Sequence, residues 1–342
     1  MNTIETLEQK EKKYTKEDFT SDQEVRWCPG CGDYSILAQM RRLLPELGVK
    51  KENVVFVSGI GCSSRFPYYM DTYGLHGIHG RAPALASGIK LANPDLTVFV
   101  ITGDGDALSI GGNHFIHLCR RNIDVTVLLF NNRIYGLTKG QYSPTSERGK
   151  ITKSSPYGSL EEPFNPVKMA LAAGATFVAR SMDRDPKHLE ATLLEAARHK
   201  GTSFVEIYQN CNIFNDGAFE KYTNIKTRFD NVVYLKNEQE YRFGRENDKH
   251  LFWDGHRFRV EEWKATEEPL THNTDNLPVS MEFALAELSE LEDFPVPVGV
   301  FRKRQAETYD ALLTKQIEEV KKSKGQGDLQ KLLESGNTWH VD

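Results

Sequence analysis

Two short stretches of the chain carry residues suited to binding a charged cofactor, Gly103-Asp104-Gly105-Asp106 and Asn131-Asn132. The carboxylate of Asp104, the amide oxygen of Asn132 and a neighbouring backbone carbonyl suit a hard, octahedral Mg²⁺. Such an ion takes its remaining ligands from a diphosphate and water. Gly103 and Gly105 let the backbone approach those phosphates closely, and a helix starting there favours their negative charge. Either stretch alone is ordinary turn chemistry. Together, with Asp104 and Asn132 28 positions apart, they require two strand ends that face one crevice. Leu96–Thr102 (LTVFVIT) and Val125–Phe130 (VTVLLF) are short apolar runs with strand character, and the helix-length segment Ala107–Arg121 lies between them. This is a βαβ unit, whose ligands sit at the carboxyl ends of its strands.

The cysteines are the second set of reactive groups. Trp27-Cys28-Pro29-Gly30-Cys31-Gly32 is a C-x-x-C loop able to hold zinc, ligate an iron–sulfur cluster or exchange disulfides. No strand precedes it, which ranks exchange below the two metal readings; zinc and cluster stand level. Cys62 lies in the glycine-rich Gly59-Ile60-Gly61-Cys62-Ser63-Ser64, at the end of the apolar strand Asn53–Ser58, and Cys211 lies in Gln209-Asn210-Cys211-Asn212 after the strand Ser203–Tyr208. Cys119, inside the helix His114–Arg121, reads as core. The loop Leu75–Arg81 holds His76, His79 and Arg81 and suits an anion or cofactor. Arg133–Gln141 leaves the proposed metal ligand, so Lys139 becomes a candidate for a substrate carboxylate, against the alternative of a solvated loop lysine.

Around these loops the pattern is that of an α/β doubly wound, mostly parallel sheet. Tyr34–Leu44 reads as a helix stopped near Pro45, Ala82–Ala92 as a small-residue helix, and Gly149–Pro166 as a surface loop. Pro166–Ala173, Thr176–Arg180, Pro186–His199 and Ser203–Tyr208 continue the helix–strand alternation. The expected organisation is an N-terminal arm over 1–25, a cofactor-binding domain over 26–225, and an irregular C-terminal extension over 226–342 that packs on the domain or on a partner subunit. Within the extension, Tyr234–Lys264 lacks clear periodicity apart from a hairpin at Phe252–Phe258, while Ser280–Glu292 and Ala306–Lys322 read as helices.

Composition narrows the function classes. With 43 basic and 48 acidic residues the net charge is −5, which argues against a nucleic-acid-binding face. No apolar run approaches the roughly 20 residues of a membrane span, and the polar N-terminus carries no secretory h-region. A cytoplasmic location is expected, in which five cysteines bind metal or do chemistry rather than form disulfides.

The GDG and NN pair resembles the diphosphate-binding signature of thiamine diphosphate enzymes. Joined to WCPGCG, GIGCSS, HGIHGR, GDGDALSIGG, FNNRIYGLTKGQ and the cysteine of QNCNIFN, it resembles the beta subunit of 2-oxoacid:ferredoxin oxidoreductases over roughly residues 25–220. The fold implied is the thiamine diphosphate-binding fold, as its diphosphate-type domain. The resemblance implies one [4Fe–4S] cluster on Cys28, Cys31, Cys62 and Cys211, and Mg²⁺ on Asp104, Asn132 and the backbone carbonyl of Ile134. It implies thiamine diphosphate contacted by Ile60, Gly61, Cys62, Ser63, His79, Gly105, Asp106, Gly136 and Leu137. Lys139, His79 and Arg81 are the catalytic candidates. Family members decarboxylate a 2-oxoacid, pass electrons to ferredoxin and deliver the acyl group to coenzyme A, or run the reverse. The glutamate that activates the thiamine belongs to a separate alpha subunit, which implies an α₂β₂ assembly. GLTKGQ is similar to the run in enzymes acting on 2-oxoglutarate or on a broad range of 2-oxoacids, which favours 2-oxoglutarate over pyruvate. Two readings compete. A non-oxidative thiamine diphosphate enzyme, such as an acetolactate synthase or a decarboxylase, shares GDG and NN but needs no such cysteines. A zinc-stabilised structural subunit would use the thiolates and leave Asp104, Asn132 and Lys139 unexplained.

Overall fold

Successive residues of the first central strand point into two different apolar layers. Val55 and Val57 join one buried cluster, Val54 and Phe56 the other, as in a strand covered on both faces. The structure, a computed structural model, describes residues 13–263 and 270–341. After the C-x-x-C loop come α1 (Asp33–Leu47), β1 (Val54–Ser58), β2 (Tyr73–His76), α2 (Ala82–Ala92), β3 (Thr97–Gly103), α3 (Asp104–Leu108), α4 (Gly112–Arg121) and β4 (Thr126–Asn131). A long loop leads to α5 (Pro166–Ala173), β5 (Phe177–Met182), α6 (Pro186–Arg198) and β6 (Ser203–Tyr208). The rest forms α7 (Glu220–Thr223), α8 (Arg228–Asn231), β7 (Val232–Leu235), β8 (Arg242–Phe243), β9 (Lys249–Trp253), β10 (Phe258–Glu262), α9 (Val279–Glu287), β11 (Val296–Lys303), α10 (Tyr309–Lys324) and α11 (Leu329–Leu333).

The main sheet has eight strands in the order β2-β1-β3-β4-β6-β5-β11-β7. Its neighbours are parallel except β5 and β11. Helices α2, α4, α5 and α9 cover one face through Ala86, Phe115, Val167 and Leu285. Helices α1 and α6 cover the other through Met40, Leu43, Leu189 and Leu193. The chain steps from β1 to β2 on one side and returns to β3 on the other, and such a reversal opens a crevice at the carboxyl ends of the strands. The loops after β1, β3, β4 and β6, four adjacent strands, all leave at that edge.

The doubly wound α/β architecture is as expected, with local differences. The segment read as one helix over Ala107–Arg121 is broken between α3 and α4. A Cβ on Gly111 would lie 2.4 Å from the Asp106 carbonyl, and one on Gly80 would lie 2.5 Å from the Gly111 nitrogen. The His79-Gly80 loop therefore packs against bare backbone at the break. Pro45 does not stop α1; it lies in the last turn, and the helix ends at Gly48, whose φ of 73° is the left-handed cap. Leu75 and His76 are not loop residues but the end of β2, an exposed edge strand paired with β1.

The section after residue 225, expected to lie over the domain or against a partner, threads β11 and β7 into the main sheet. It also forms a three-stranded antiparallel sheet in which Phe258 pairs with Trp253. Helix α9 continues into a 3₁₀ turn at Leu288–Glu290, and α10 begins three residues later than the pattern suggested. Of the N-terminal arm, residues 1–12 lie outside the described residues, as does Lys264; Phe19, on a 3₁₀ turn at Lys16–Phe19, is fully buried against the α1 layer.

Candidate active site

Strand β3 ends in two buried carboxylates with different surroundings. Asp106, 2% exposed, is surrounded by donors: the N–H groups of Ile60 (3.1 Å) and Gly80 (2.7 Å) and the His79 ring nitrogen Nδ1 (2.6 Å) meet Oδ1, while the Thr102 hydroxyl donates to Oδ2 (2.7 Å). A Cβ on Gly59 would come 2.0 Å from that Oδ2, so the β1 loop closes over the carboxylate only because residue 59 is glycine. Asp106 thus fastens three loops together and directs His79. Asp104, also 2% exposed, accepts only hydroxyl donors from side chains, Ser143 Oγ and Thr145 Oγ1, both on Oδ2. Burial pushes its carboxyl up to about 6, against the lowering effect of those two hydroxyls. A buried carboxyl with no cation beside it among the described residues is a place for one.

Both border a cavity of about 460 Å³ at the strand ends. Its wall holds Ile60, Gly61, Cys62, Ser63, His79, Gly105, Asn132, Ile134, Gly136 and Leu137. Every residue expected to touch metal, diphosphate or thiamine therefore borders one space. The two asparagines divide the work. Asn131 is buried, with its amide nitrogen on Glu206 (2.7 Å), which is itself paired with buried Arg180 (2.7 Å). Asn132 faces the cavity, its oxygen accepting the Ile134 N–H at 3.1 Å. Tyr135 reaches across to donate to the Gly105 carbonyl at 3.0 Å.

Cys28, Cys31, Cys62 and Cys211 converge on a second cavity, of about 230 Å³. The convergence across some 180 residues is held by polar contacts. Gly32 N–H donates to the Asn210 carbonyl (3.1 Å), Asn212 donates to the Pro29 carbonyl (2.6 Å), and the Gln209 amide approaches Cys31 Sγ (3.3 Å). Trp27 pins the third loop, its indole N–H donating to the Cys62 carbonyl at 2.7 Å. Burial pushes the Cys62 thiol up to about 12, with Asp33 adding to the shift, and moves Cys31 in the same direction. Among the described residues no three His, Cys, Asp or Glu side chains gather closely enough to hold a single ion. Cys119 is fully buried in the α4 layer, away from the other four.

The cavities share a wall made of Asp33, Cys62, Asn132, Gly136 and Leu137. A Cβ on Gly136 would lie 3.5 Å from the sulfur of Cys211 and 3.7 Å from that of Cys62. Asp33, 1% exposed, is pushed up to about 7 by burial, with Asp183 contributing.

Other candidates fall elsewhere. Lys139 is exposed at φ 76° and borders the cysteine cavity, not the larger one. Arg81 lies within reach of the carbonyls of His79 (3.5 Å) and Ile110 (3.4 Å) and borders neither cavity. His76 turns to Ser58 and Ser64 in an annex of about 410 Å³ that adjoins the larger cavity at Ile60, Gly61 and Leu137. Arg26 and Arg65 also line this annex, and Arg65 forms no ion pair with the described residues.

Asp33, Arg65, the Ser143–Ser146 turn and Asn215, which donates to the Asn132 carbonyl at 2.9 Å, were not singled out from the sequence. The signal available for the turn was three hydroxyl residues around Pro144 directly after the metal loop.

Comparison with known proteins places this geometry in a family. Residues 59–207 match the thiamine pyrophosphate enzyme C-terminal TPP-binding domain. The chain is 52% identical over 329 residues to the 2-oxoglutarate oxidoreductase subunit KorB of Mycobacterium tuberculosis, covering 95% of this chain and 88% of that one. A 2-oxoglutarate synthase subunit KorB of Archaeoglobus fulgidus is 50% identical over 185 residues, 54% of this chain and 69% of the relative. A solved 2-oxoglutarate:ferredoxin oxidoreductase of Magnetococcus marinus, with 2-oxoglutarate, coenzyme A and succinyl-CoA bound, superposes with a TM-score of 0.75 at 34% identity, covering 96% of this chain and 98% of that chain.

The close approach at Gly105 yields a direct test. A Cβ there would lie 2.2 Å from the Tyr135 ring, which is fixed by its own hydrogen bond. Gly105→Ala should displace Tyr135 from the cavity wall and weaken thiamine diphosphate binding about tenfold or more, a difference of about 1.4 kcal/mol that calorimetry resolves. Unchanged affinity in a folded variant would contradict the cradle described.

Proposed function

Because the chain belongs to the beta subunits of the 2-oxoacid:ferredoxin oxidoreductases, we propose that it holds Mg²⁺–thiamine diphosphate in the larger cavity and one [4Fe–4S] cluster in the smaller. With an alpha subunit it converts 2-oxoglutarate, coenzyme A and oxidised ferredoxin reversibly into succinyl-CoA, CO₂ and reduced ferredoxin. The observation that carries this reading is the shared wall: Cys62 of the four thiols and Asn132, Gly136 and Leu137 of the metal loop border both cavities.

The donor sets fit the groups. One carboxylate oxygen, one amide oxygen and the Ile134 carbonyl are hard ligands for Mg²⁺. Bound thiamine diphosphate supplies the carbanion chemistry, and the protein supplies position and electrostatics. Asp106 fixes the His79 ring through Nδ1, leaving Nε2 to hold or move a proton at the cavity. Leu137 and Ile60 keep the reacting end of the cavity apolar. For the thiols, zinc at 2.3 Å would draw four sulfurs to about 3.8 Å from one another. The four cysteines border one cavity of about 230 Å³, and four thiolates are also the ligand set of a [4Fe–4S] cluster. A purely structural zinc role and a non-oxidative thiamine reaction both leave this arrangement without a purpose. The active site is completed by the alpha subunit, as an α₂β₂ assembly, and ferredoxin is the electron acceptor. No helix among the described residues is long and apolar enough to cross a membrane, and the location proposed is the cytoplasm.

The cluster reading is checked by anaerobic purification. Brown protein with broad visible absorption is expected; Ser at Cys28, Cys31, Cys62 or Cys211 should lose iron or leave it labile, and Cys119→Ser should keep it. Colourless, zinc-loaded protein would refute it.

The second carboxylate of 2-oxoglutarate needs cationic contacts, and two flank Leu137. Arg65 lines the annex, and Lys139 stands on the neighbouring rim. A charge-assisted bond is worth about 1.5–3 kcal/mol. Arg65→Ala and Lys139→Ala should therefore each lower kcat/KM for 2-oxoglutarate by about tenfold or more relative to a 2-oxoacid lacking that carboxylate. Equal losses for both substrates would show that the two cations only shape the loop.

A further inference from the structure

We propose that the turn Ser143-Pro144-Thr145-Ser146 is a positioning clamp for the metal-binding carboxylate, presenting one chosen oxygen of Asp104 to Mg²⁺. The inference rests on Asp104 being the metal carboxylate of the proposed function, and it concerns residues to which neither the motifs nor the family resemblance gives a role.

The geometry is specific. Ser143, Thr145 and Ser146 are buried, although all three are polar and none lies in a helix or strand. Ser143 Oγ and Thr145 Oγ1 both donate to the same atom, Asp104 Oδ2, the latter at 2.6 Å. Two donors on one oxygen fix the rotation of the carboxylate, which borders the cavity, so that on this proposal Oδ1 is the oxygen offered to the metal. The Thr145 hydroxyl also lies 2.9 Å from Asn131 Oδ1, but it has a single proton, and a carboxylate takes it in preference to a neutral amide oxygen. The Asn131 oxygen is served by the Arg133 N–H at 3.2 Å.

The third hydroxyl grips the opposite bank. Ser143 N–H donates to Ser146 Oγ at 2.8 Å, and Ser146 Oγ donates to the Arg133 carbonyl at 2.6 Å. Arg133 stands between Asn132 and Ile134, which supply the other two proposed ligands. One turn therefore sets the spacing between the carboxylate on the β3 side and the ligands on the β4 side. Mg²⁺ demands near-ideal octahedral geometry, so small errors in that spacing count. Loop closure does not need the turn, because Tyr135 and Gln141 already close residues 135–141 by backbone hydrogen bonds. Outer partners of metal ligands typically affect metal affinity by 10–100-fold.

The test uses the cluster-loaded enzyme assembled with its alpha subunit. Thiamine diphosphate binding is followed by calorimetry while Mg²⁺ is titrated. In Thr145→Val the Mg²⁺ concentration giving half-maximal binding should rise about 10–100-fold. The stoichiometry at saturating Mg²⁺ and the visible absorption of the cluster should stay unchanged. Thr145→Ser should restore the wild-type value, which a role in packing the threonine methyl would not allow. Ser143→Ala should shift the titration in the same direction, and it carries the test alone if the valine variant fails to assemble. Wild-type Mg²⁺ dependence in the assembled hydroxyl variants would overturn the clamp. Asp104→Asn separates the two claims: full binding there refutes Asp104 as the ligand. Lost binding there with unshifted titrations in the hydroxyl variants overturns the clamp alone.

Discussion

Two carboxylates buried within three residues of each other are the constraint around which this site is built. Taking a carboxylate out of water costs several kcal/mol unless partners replace the solvent. For Asp106 they do. Its four donors, at about 1.5–3 kcal/mol per bond to a charged acceptor, keep the group buried and fasten the loops that follow β1 and β2 to the end of β3. For Asp104 the side-chain donors are only two hydroxyls, both on one oxygen, and burial holds its carboxyl above the usual range. A divalent cation would complete it. On the proposed function the same strand end carries a finished anchor, Asp106, and a metal ligand, Asp104, and the anchor fixes the walls between which the ligand would work.

The second organising feature is the economy of the boundary between the two cavities. Gly136 borders both cavities, and a methyl group there would already touch the sulfurs of Cys211 and Cys62. Asn215 links the same regions: its backbone N–H donates to the Cys211 carbonyl at 3.0 Å, and its side-chain amide donates to the carbonyls of Asn132 (2.9 Å) and Arg133 (3.3 Å). A shift of the metal loop therefore bears on the Cys211 loop. On the proposed function, an acyl-forming reaction that must hand on electrons would gain a short path, because one piece of backbone would hold both the donor and the first acceptor.

Much of this was legible in the sequence because it depends on local pattern. The strands β1, β3, β4 and β6 are short runs of apolar residues buried on both faces, and glycine, cysteine and asparagine mark where they end. Adjacent strand ends then bring Asp104, Asn132, Cys62 and Cys211 together. What stayed hidden depends on partners far apart in the chain. Asp106 reads as a cofactor contact, and its second role as an anchor shows only in its donors from residues 60, 79, 80 and 102. Lys139 reads as a residue of the larger cavity until the turn at φ 76° places it on the cysteine side. Strand β11 reads as part of an extension because nothing in VPVGVFRK says that it will pair between β5 and β7. The break between α3 and α4 comes from a contact between Gly80 and Gly111, which helix periodicity does not encode.

The central claim is that cofactor chemistry in the larger cavity is coupled to a cluster held by the four cysteines across the Gly136 wall. The most direct measurement mixes the anaerobic enzyme, assembled with its alpha subunit and loaded with Mg²⁺ and thiamine diphosphate, with 2-oxoglutarate in the absence of ferredoxin. The cluster is followed by visible absorption and electron paramagnetic resonance. The account predicts that substrate bleaches the absorption and produces the signal of a reduced [4Fe–4S] cluster. It predicts neither change when 2-oxoglutarate is omitted. A cluster that stays oxidised while CO₂ is released would contradict it.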